Sequence, residues 1–438
     1  MKTRKALLNP LLALLLLPAA TGARSQVREQ PGAPRLVAIR AARLLDVRSG
    51  DMIDGAVVLV EGDRVKAVGQ HLAVPTAAQV LDLGNVTLLP GLIDCHTHVL
   101  LEPEDERGTP PVVTKSQAFR TVEGVAAALK DLQAGFTTMR DLDSEGAGFA
   151  DVAVRDAVNR GIIPGPRHLV SGNPLTITGG AMNNAGLSPD IQLPDPGANT
   201  DTREAMIAEV RREVRNGVDW VKVYATGPMR YVDPVTLDPL SQFSAEDIRA
   251  IVTEAARWRR DVAAHAYGGE GAKNAVRGGV RSLEHGMMLD DEALRLMVEH
   301  GTFYCPTLSV YVPKTPEEDT DLRRRIVASH RQVFQKAMRM GVKIVFGTDV
   351  GAFEHGTNAR EFELMVEYGM KPVEAVRAAT LRAAELLRME KQLGAVEPGK
   401  YADIIAVEGN PLEDIRALRR VTFVMKAGQV YLSPVKTR

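Results

Sequence analysis

Only two cysteines, Cys95 and Cys305, occur in 438 residues, so no disulfide framework holds this chain together. Both lie in apolar, β-like runs and read as packed thiols, with a single bridge between them as the one pairing available. An excess of charge is also missing. The formal net charge of −1 leaves no basic footprint, which excludes nucleic acid as an expected partner. No apolar run is long enough for a comfortable membrane span. The longest, Ala6 to Ala20, follows Lys2, Arg4 and Lys5 and precedes small residues around Ala23 and Ser25. That is the layout of a secretory signal peptide over residues 1–25, with an uncleaved anchor as the alternative. The expectation is export to the periplasm or outside, cleavage near Ala23 or Ser25, and no membrane contact afterwards. No cysteine near that position offers a lipid anchor, and no twin-arginine pair precedes the apolar core.

What is present is patterned. From residue 35 to 89, short β-like runs such as "LVAIRAARLLDV" and "GAVVLVEGDRVKAVG" are broken by Gly, Asp and Pro, and residues 394–435 read the same way. The two ends are therefore expected to meet in one small, discontinuous β-sandwich. Between them, over residues 90–393, short apolar runs alternate with amphipathic helical stretches, the signature of a parallel sheet with right-handed crossovers. About eight strand runs favour a closed (β/α)8 barrel of the TIM type over an open doubly wound sheet. The open sheet would call for a glycine-rich dinucleotide loop after its first strand, and "DCHTHVLLEPEDE" has none.

In such barrels the chemistry lies at the C-terminal ends of the strands. "GLIDCHTHVL" ends the first run with His96 and His98, which share a face because strand side chains alternate. Neutral imidazole is the commonest metal ligand. The later strand ends carry Lys222, His265, His285 and Asp349. Lys222, in "VDWVKVYATG", places an amine in an apolar strand where an unpaired charge is costly. It is either half of a buried ion pair or a partly neutral amine able to take up carbon dioxide. The resulting carbamate has two anionic oxygens and can bridge two metal ions. Asp349, in "VFGTDVG", is either a helix cap or a metal ligand that takes a proton from water. Together the set suits divalent metal chemistry. Beyond the strand ends, Tyr224, Arg230 and Tyr231 follow Lys222, and His355 follows Asp349. These are candidate substrate contacts, Arg230 and Tyr231 as a clamp for a carboxylate. Arg140 and Asp141 read as a structural pair beneath the site.

The "GLIDCHTH" motif, Lys222, His265, His285 and the "GTD" at Asp349 resemble the two-metal branch of the amidohydrolase superfamily, and the likeness runs from about residue 35 to 435, including "VEPGKYADIIAVEGNPLEDI". More narrowly, "GFTTMRDL", "SGNPLTITGG" and "HGTNAREFELMVEYGM" are similar to imidazolonepropionase-like and Xaa-Pro dipeptidase-like enzymes, a branch that includes hydrolases of ochratoxin A. The resemblance implies that His96, His98 and Asp349 hold one divalent ion, expected to be zinc, and His265 and His285 the other. Carboxylated Lys222 would bridge both, and Asp349 would pass a proton to the leaving nitrogen. It further implies a homo-oligomer, up to an octamer. The expected reaction is removal of a C-terminal amino acid from a small N-acyl amino acid or dipeptide, with ochratoxin A a candidate. The alternatives are an Xaa-Pro or other dipeptidase and an imidazolonepropionase-like lactam hydrolase. Deaminases of the superfamily generally lack the strand lysine, and a non-catalytic scaffold would have lost ligands. One departure stands out, because Ala181 in "TGGAMNN" occupies a place where relatives often carry His.

Overall fold

The computed structural model describes residues 35–103, 111–184 and 195–434, together with Ser188, Asp190 and Leu193; the signal-peptide stretch 1–25 lies outside the described residues. The N-terminal segment forms β1 (Leu36–Leu45), β2 (Met52–Glu61), β3 (Arg64–Gln70), β4 (Gln79–Asp82) and β5 (Val86–Pro90). Alternation shapes this region. Val37, Ile39 and Ala41 of β1 enter one apolar core with Val58, Val60 and Leu88, while Ala38 joins Val57 and Leu59 on the opposite face.

The barrel strands follow. They are β6 (Leu92–Thr97), β7 (Phe136–Asp141), β8 (Arg167–Val170), the two-residue β9 (Leu175–Thr176) and β10 (Ala198–Asn199), then β11 (Trp220–Tyr224), β12 (Asp261–Gly268), β13 (Ser282–Met288) and β14 (Phe303–Cys305). β6, β7 and β8 pair in parallel, as do β11 through β14. Asp219 N donates to Val170 O at 2.8 Å, joining the two groups. On the other side the chain at 344–350 takes the eighth position through parallel bridges Tyr304↔Ile344 and Thr97↔Val350. The expected last strand, "VKIVFGTD", is thus irregular, held at bridges rather than as a continuous ladder. The ring nevertheless closes into a TIM-type barrel, with amphipathic helices between strands. One of these, Ala245–Arg257, shows how the sequence sets them: Ser244 and Asp247 form a capping box at its start, and Ile248, Ile251 and Ala255 are buried.

The chain returns through β15 (Ile404–Glu408), β16 (Val421–Lys426) and β17 (Gln429–Leu432). β15 pairs antiparallel with β5, so the two chain ends do meet. The small sandwich expected there takes the form of one mixed sheet, ordered β17-β16-β15-β5-β1-β2-β3 with β4 beside β1. Its link to the site is direct, because Pro90 ends β5 and Leu92 begins β6.

Candidate metal centre

The first histidine pair does share a face, with the Nε2 atoms of His96 and His98 3.3 Å apart. Asp349 Oδ1 lies 2.9 Å from His98 Nε2 and 3.6 Å from His96 Nε2, and its Oδ2 lies 3.9 Å from His285 Nδ1. The rings of His96 and His285 are 4.9 Å apart, and those of His265 and His285 4.6 Å. Lys222, fully buried on β11, faces the same group, with Glu284, Asp143 and Asp349 as its charged neighbours. The structure therefore brings all six expected ligands to one end of the barrel.

Local sequence explains how they are held. Asp94, two residues before His96, accepts from Thr348 Oγ1 at 2.7 Å, Thr348 N at 3.1 Å and Asn358 Nδ2 at 2.9 Å, which ties β6 to the Asp349 loop. A Cβ at Gly347 would meet Cys305 Sγ at 2.2 Å, so only glycine lets the eighth position approach this closely. Gly351, at φ +114°, is closed in the same way against the His98 carbonyl. Of the six expected ligands, His285 at φ 72° and Asp349 at φ 66° carry left-handed backbone. Such conformations cost about 1–3 kcal/mol each and gather at functional sites.

Electrostatics follow from burial and proximity. Burial, reinforced by the Lys222 charge, pushes His96 down to about 4. Burial also holds His265 and His285 well below the usual imidazole range, and both are further lowered by neighbouring cations. At His98 burial is outweighed by the hydrogen bond and charge of Asp349, which lift it to about 10. Asp349 is held well below the ordinary carboxylate range: burial opposes ionisation, but His96 and His98 favour it. Burial lowers Lys222 as well. Among the described residues, Lys222 Nζ and His265 Nε2 have no hydrogen-bond partner at all. Buried polar atoms without partners are costly. The neutral imidazoles of His96, His265 and His285, the His98–Asp349 pair and an unpartnered amine gathered at one end of the barrel form a donor set that fits divalent cations. His96, His285 and Asp349 have ligand atoms close enough to share one ion.

The expected substrate contacts fare differently. The Tyr224 ring lies tilted against His265, with ring centroids 4.4 Å apart, and its hydroxyl donates to Asp143 at 3.2 Å. Arg230 and Tyr231 lie exposed on a short 3-10 turn, the guanidinium 4.9 Å from the Tyr231 ring. The adjacent Val232 packs into a cluster with Tyr267 and Tyr311, which flank His265 and His285. His355 is a correction. Its Nδ1 lies 2.8 Å from Asp131 Oδ2 and its Nε2 3.1 Å from the Leu101 carbonyl, so neither ring nitrogen remains for a substrate. Arg140 and Asp141 are corrected too. Neighbours on a strand point to opposite faces, and Arg140 pairs with Glu284 at 2.9 Å, while Asp141 accepts from Val99 N. Ala181 sits buried, its N–H donating to Gln242 Oε1 at 2.9 Å. Cys95 and Cys305 are both free thiols.

Sequence reasoning missed Glu284, Asp143, Glu145 and Thr307. Glu284 lies 3.0 Å from His96 Nδ1, Glu145 3.5 Å from His98 Nδ1, and Thr307 Oγ1 2.8 Å from His285 Nδ1. A signal for Glu284 was available: an acid within the apolar run "VRSLEHG" needs a cation, and Arg140 in "TTMRDL", read as the partner of Asp141, is that cation.

No helix among the described residues is long and apolar enough to cross a membrane. The amidohydrolase family model matches residues 87–431. The chain is 32% identical to ochratoxinase of Aspergillus niger over 91% of this chain and 87% of that protein, and the crystal structure of A. niger ochratoxinase superposes with TM-score 0.79 at 30% identity, covering 92% and 96% of the two chains. A crystal structure of a Xaa-Pro dipeptidase with methionine in its active site gives TM-score 0.82 at 33% identity, covering 91% of this chain and all of that one. A prolidase complexed with N-methylphosphonate-L-proline gives 0.79 at 31%, covering 90% and 99%. With a barrel whose strand ends gather four histidines, a lysine and an aspartate, and a family match over most of its length, the chain belongs to the amidohydrolase family.

Proposed function

We propose that this protein is a two-metal amide hydrolase that removes a C-terminal amino acid from a small N-acyl amino acid or dipeptide, with aromatic N-acyl amino acids such as ochratoxin A ranked first. The observation that carries this reading is the buried, unpartnered amine of Lys222 facing neutral His265 and His285 and ionised Asp349. His96, His98 and Asp349 would hold one ion, His265 and His285 the other, and Lys222 as its carbamate would link them. Zinc suits this mixture of nitrogen and oxygen donors. When bound, a pair of divalent ions polarises the scissile carbonyl and activates water.

The chain's own residues supply the rest. Lys222, whose pKa burial lowers, adds in its neutral form to carbon dioxide and releases one proton in becoming a carbamate. Asp349, whose side chain keeps 14% of its surface open, accepts the proton of the attacking water and delivers it to the departing nitrogen. The products are a carboxylic acid and a free amine. Arg230 and Tyr231 are the proposed clamp for the carboxylate on the amine side, set on a turn anchored beside Tyr267 and Tyr311. Ochratoxinase as a relative supports an acyl group with an aromatic body. We also propose export by the N-terminal segment and a homo-oligomeric assembly.

A second reading, a dipeptidase acting on Xaa-Pro or similar dipeptides, is favoured by the likeness to the Xaa-Pro dipeptidase and prolidase structures. The test is a comparison of kcat/KM for ochratoxin A, N-acyl phenylalanines and Xaa-Pro dipeptides, each against its C-terminal amide. A preference for the free acid that disappears in Arg230→Met supports the clamp; equal rates on acid and amide contradict it.

A further inference from the structure

Three of the four clustered histidines have Nδ1 engaged by the protein, and the partner of His96 is the most elaborate. Glu284 Oε2 lies 3.0 Å from His96 Nδ1. Its other oxygen accepts from Arg140 at 2.9 Å and from Ser282 Oγ. Arg140 is itself fixed, donating to Ser282 Oγ at 2.9 Å and to the Cys95 carbonyl at 2.6 Å, with its guanidinium 4.5 Å from the Trp220 ring centroid. His96, Glu284, Ser282 and Arg140 are all fully buried. Consecutive strand residues normally face opposite ways, yet Glu284 and His285 both lie against His96. The left-handed φ of His285 breaks the alternation and puts an acid behind one ligand and an imidazole beside it.

Donor atoms of His96, Glu284 and Cys305 come close enough together to resemble a metal site of their own. The charge balance argues otherwise. Glu284 already faces a guanidinium, so a second cation on it would meet Arg140 repulsively. A carboxylate paired with a guanidinium only accepts hydrogen bonds, so His96 Nδ1 must be the donor. That fixes the tautomer, leaving a lone pair on Nε2, the atom that faces Asp349 and His98. We infer that Glu284, held by Arg140, is a positioning residue that orients His96 and raises its basicity toward the ion it shares with His98 and Asp349, and that neither Glu284 nor Cys305 is a ligand. The inference rests on the two-metal reading.

The experiment strips metal from the wild type, Glu284→Gln and Cys305→Ala, then titrates each with zinc against a chromophoric chelator. Cobalt spectra of the same proteins and circular dichroism of the fold accompany it. If the wild type takes up no ion, the two-metal reading itself fails. If it takes up two, the expected result is that Glu284→Gln weakens one of them about 10- to 100-fold. Cys305→Ala should bind as the wild type does, and no thiolate-to-cobalt band should appear. Unchanged affinity in Glu284→Gln overturns the inference, as does a thiolate band or weakened binding in Cys305→Ala. Should Glu284→Gln not fold, Glu284→Asp takes its place with the same two outcomes, since it keeps a charge for Arg140 but withdraws the acceptor from His96.

Discussion

Two buried lysines separate the barrel rim from the sheet built by the chain ends. Lys400, whose backbone carbonyl accepts from Val65 at the start of β3, donates its ammonium to the carbonyls of Glu390 and Leu393. Thr87 and Asp403 in the same region are likewise bonded, to the Gly409 carbonyl and to Arg167. Lys222 at the rim has no partner. Its neighbours include two proposed ligands, His285 and Asp349, in left-handed backbone. In and around that sheet Lys400, Thr87 and Asp403 each find a partner for their buried polar atoms. Where several orphans and strained residues face one point, the structure is arranged for something it binds, at a cost in stability.

That contrast can be broken by exchanging each lysine for methionine. Lys222→Met should lose metal and about a thousandfold or more in kcat/KM, because the several kcal/mol supplied by the ions goes with it. The metal-free variant should melt no lower than the metal-free wild type, since an apolar side chain replaces an unsatisfied one. Lys400→Met should do the opposite. Activity persists, while about 1–3 kcal/mol of stability is lost in denaturant titration as two carbonyls lose their donor. A lower melting point for metal-free Lys222→Met, or a gain in Lys400→Met, would erase the distinction.

A smaller effect sharpens it. His168 on β8 has both ring nitrogens unpartnered, and burial pushes it down to about 3. In the folded chain it stays neutral between pH 6.5 and 3, whereas the unfolded chain takes up a proton below 6.5. Protons therefore favour unfolding in that window, and its contribution to stability falls as pH drops. Between pH 8 and 5.5 the wild type should lose about 1 kcal/mol more than His168→Leu, with catalysis at neutral pH unchanged. Parallel stability curves would show that His168 is not held neutral.

Much of the site was legible because strand ends are predictable and polar residues inside apolar runs are conspicuous. His96 with His98, and Lys222, follow from alternation and from the cost of a buried charge. The remainder depended on what alternation cannot give. Glu284 was hidden by the adjacent His285, since only a positive φ lets both face one way. Asp143, Glu145 and Thr307 act from loops whose path the sequence does not dictate. His355 misled because a histidine just past Asp349 lies near the site in sequence, whereas Asp131, 224 residues away, claims its ring. The single sheet from both ends was readable as two β-rich segments, but its strand order came from the β5–β15 pairing.

The central claim is that the rim is built for two divalent ions. It is tested most directly by adding zinc stepwise to metal-free protein while following both bound metal and hydrolysis of an N-acyl amino acid. The account predicts saturation at two ions per chain, with hydrolysis rising only as the pair fills and absent throughout in Lys222→Met. Saturation at one ion with full activity, or hydrolysis by the metal-free protein, would contradict it.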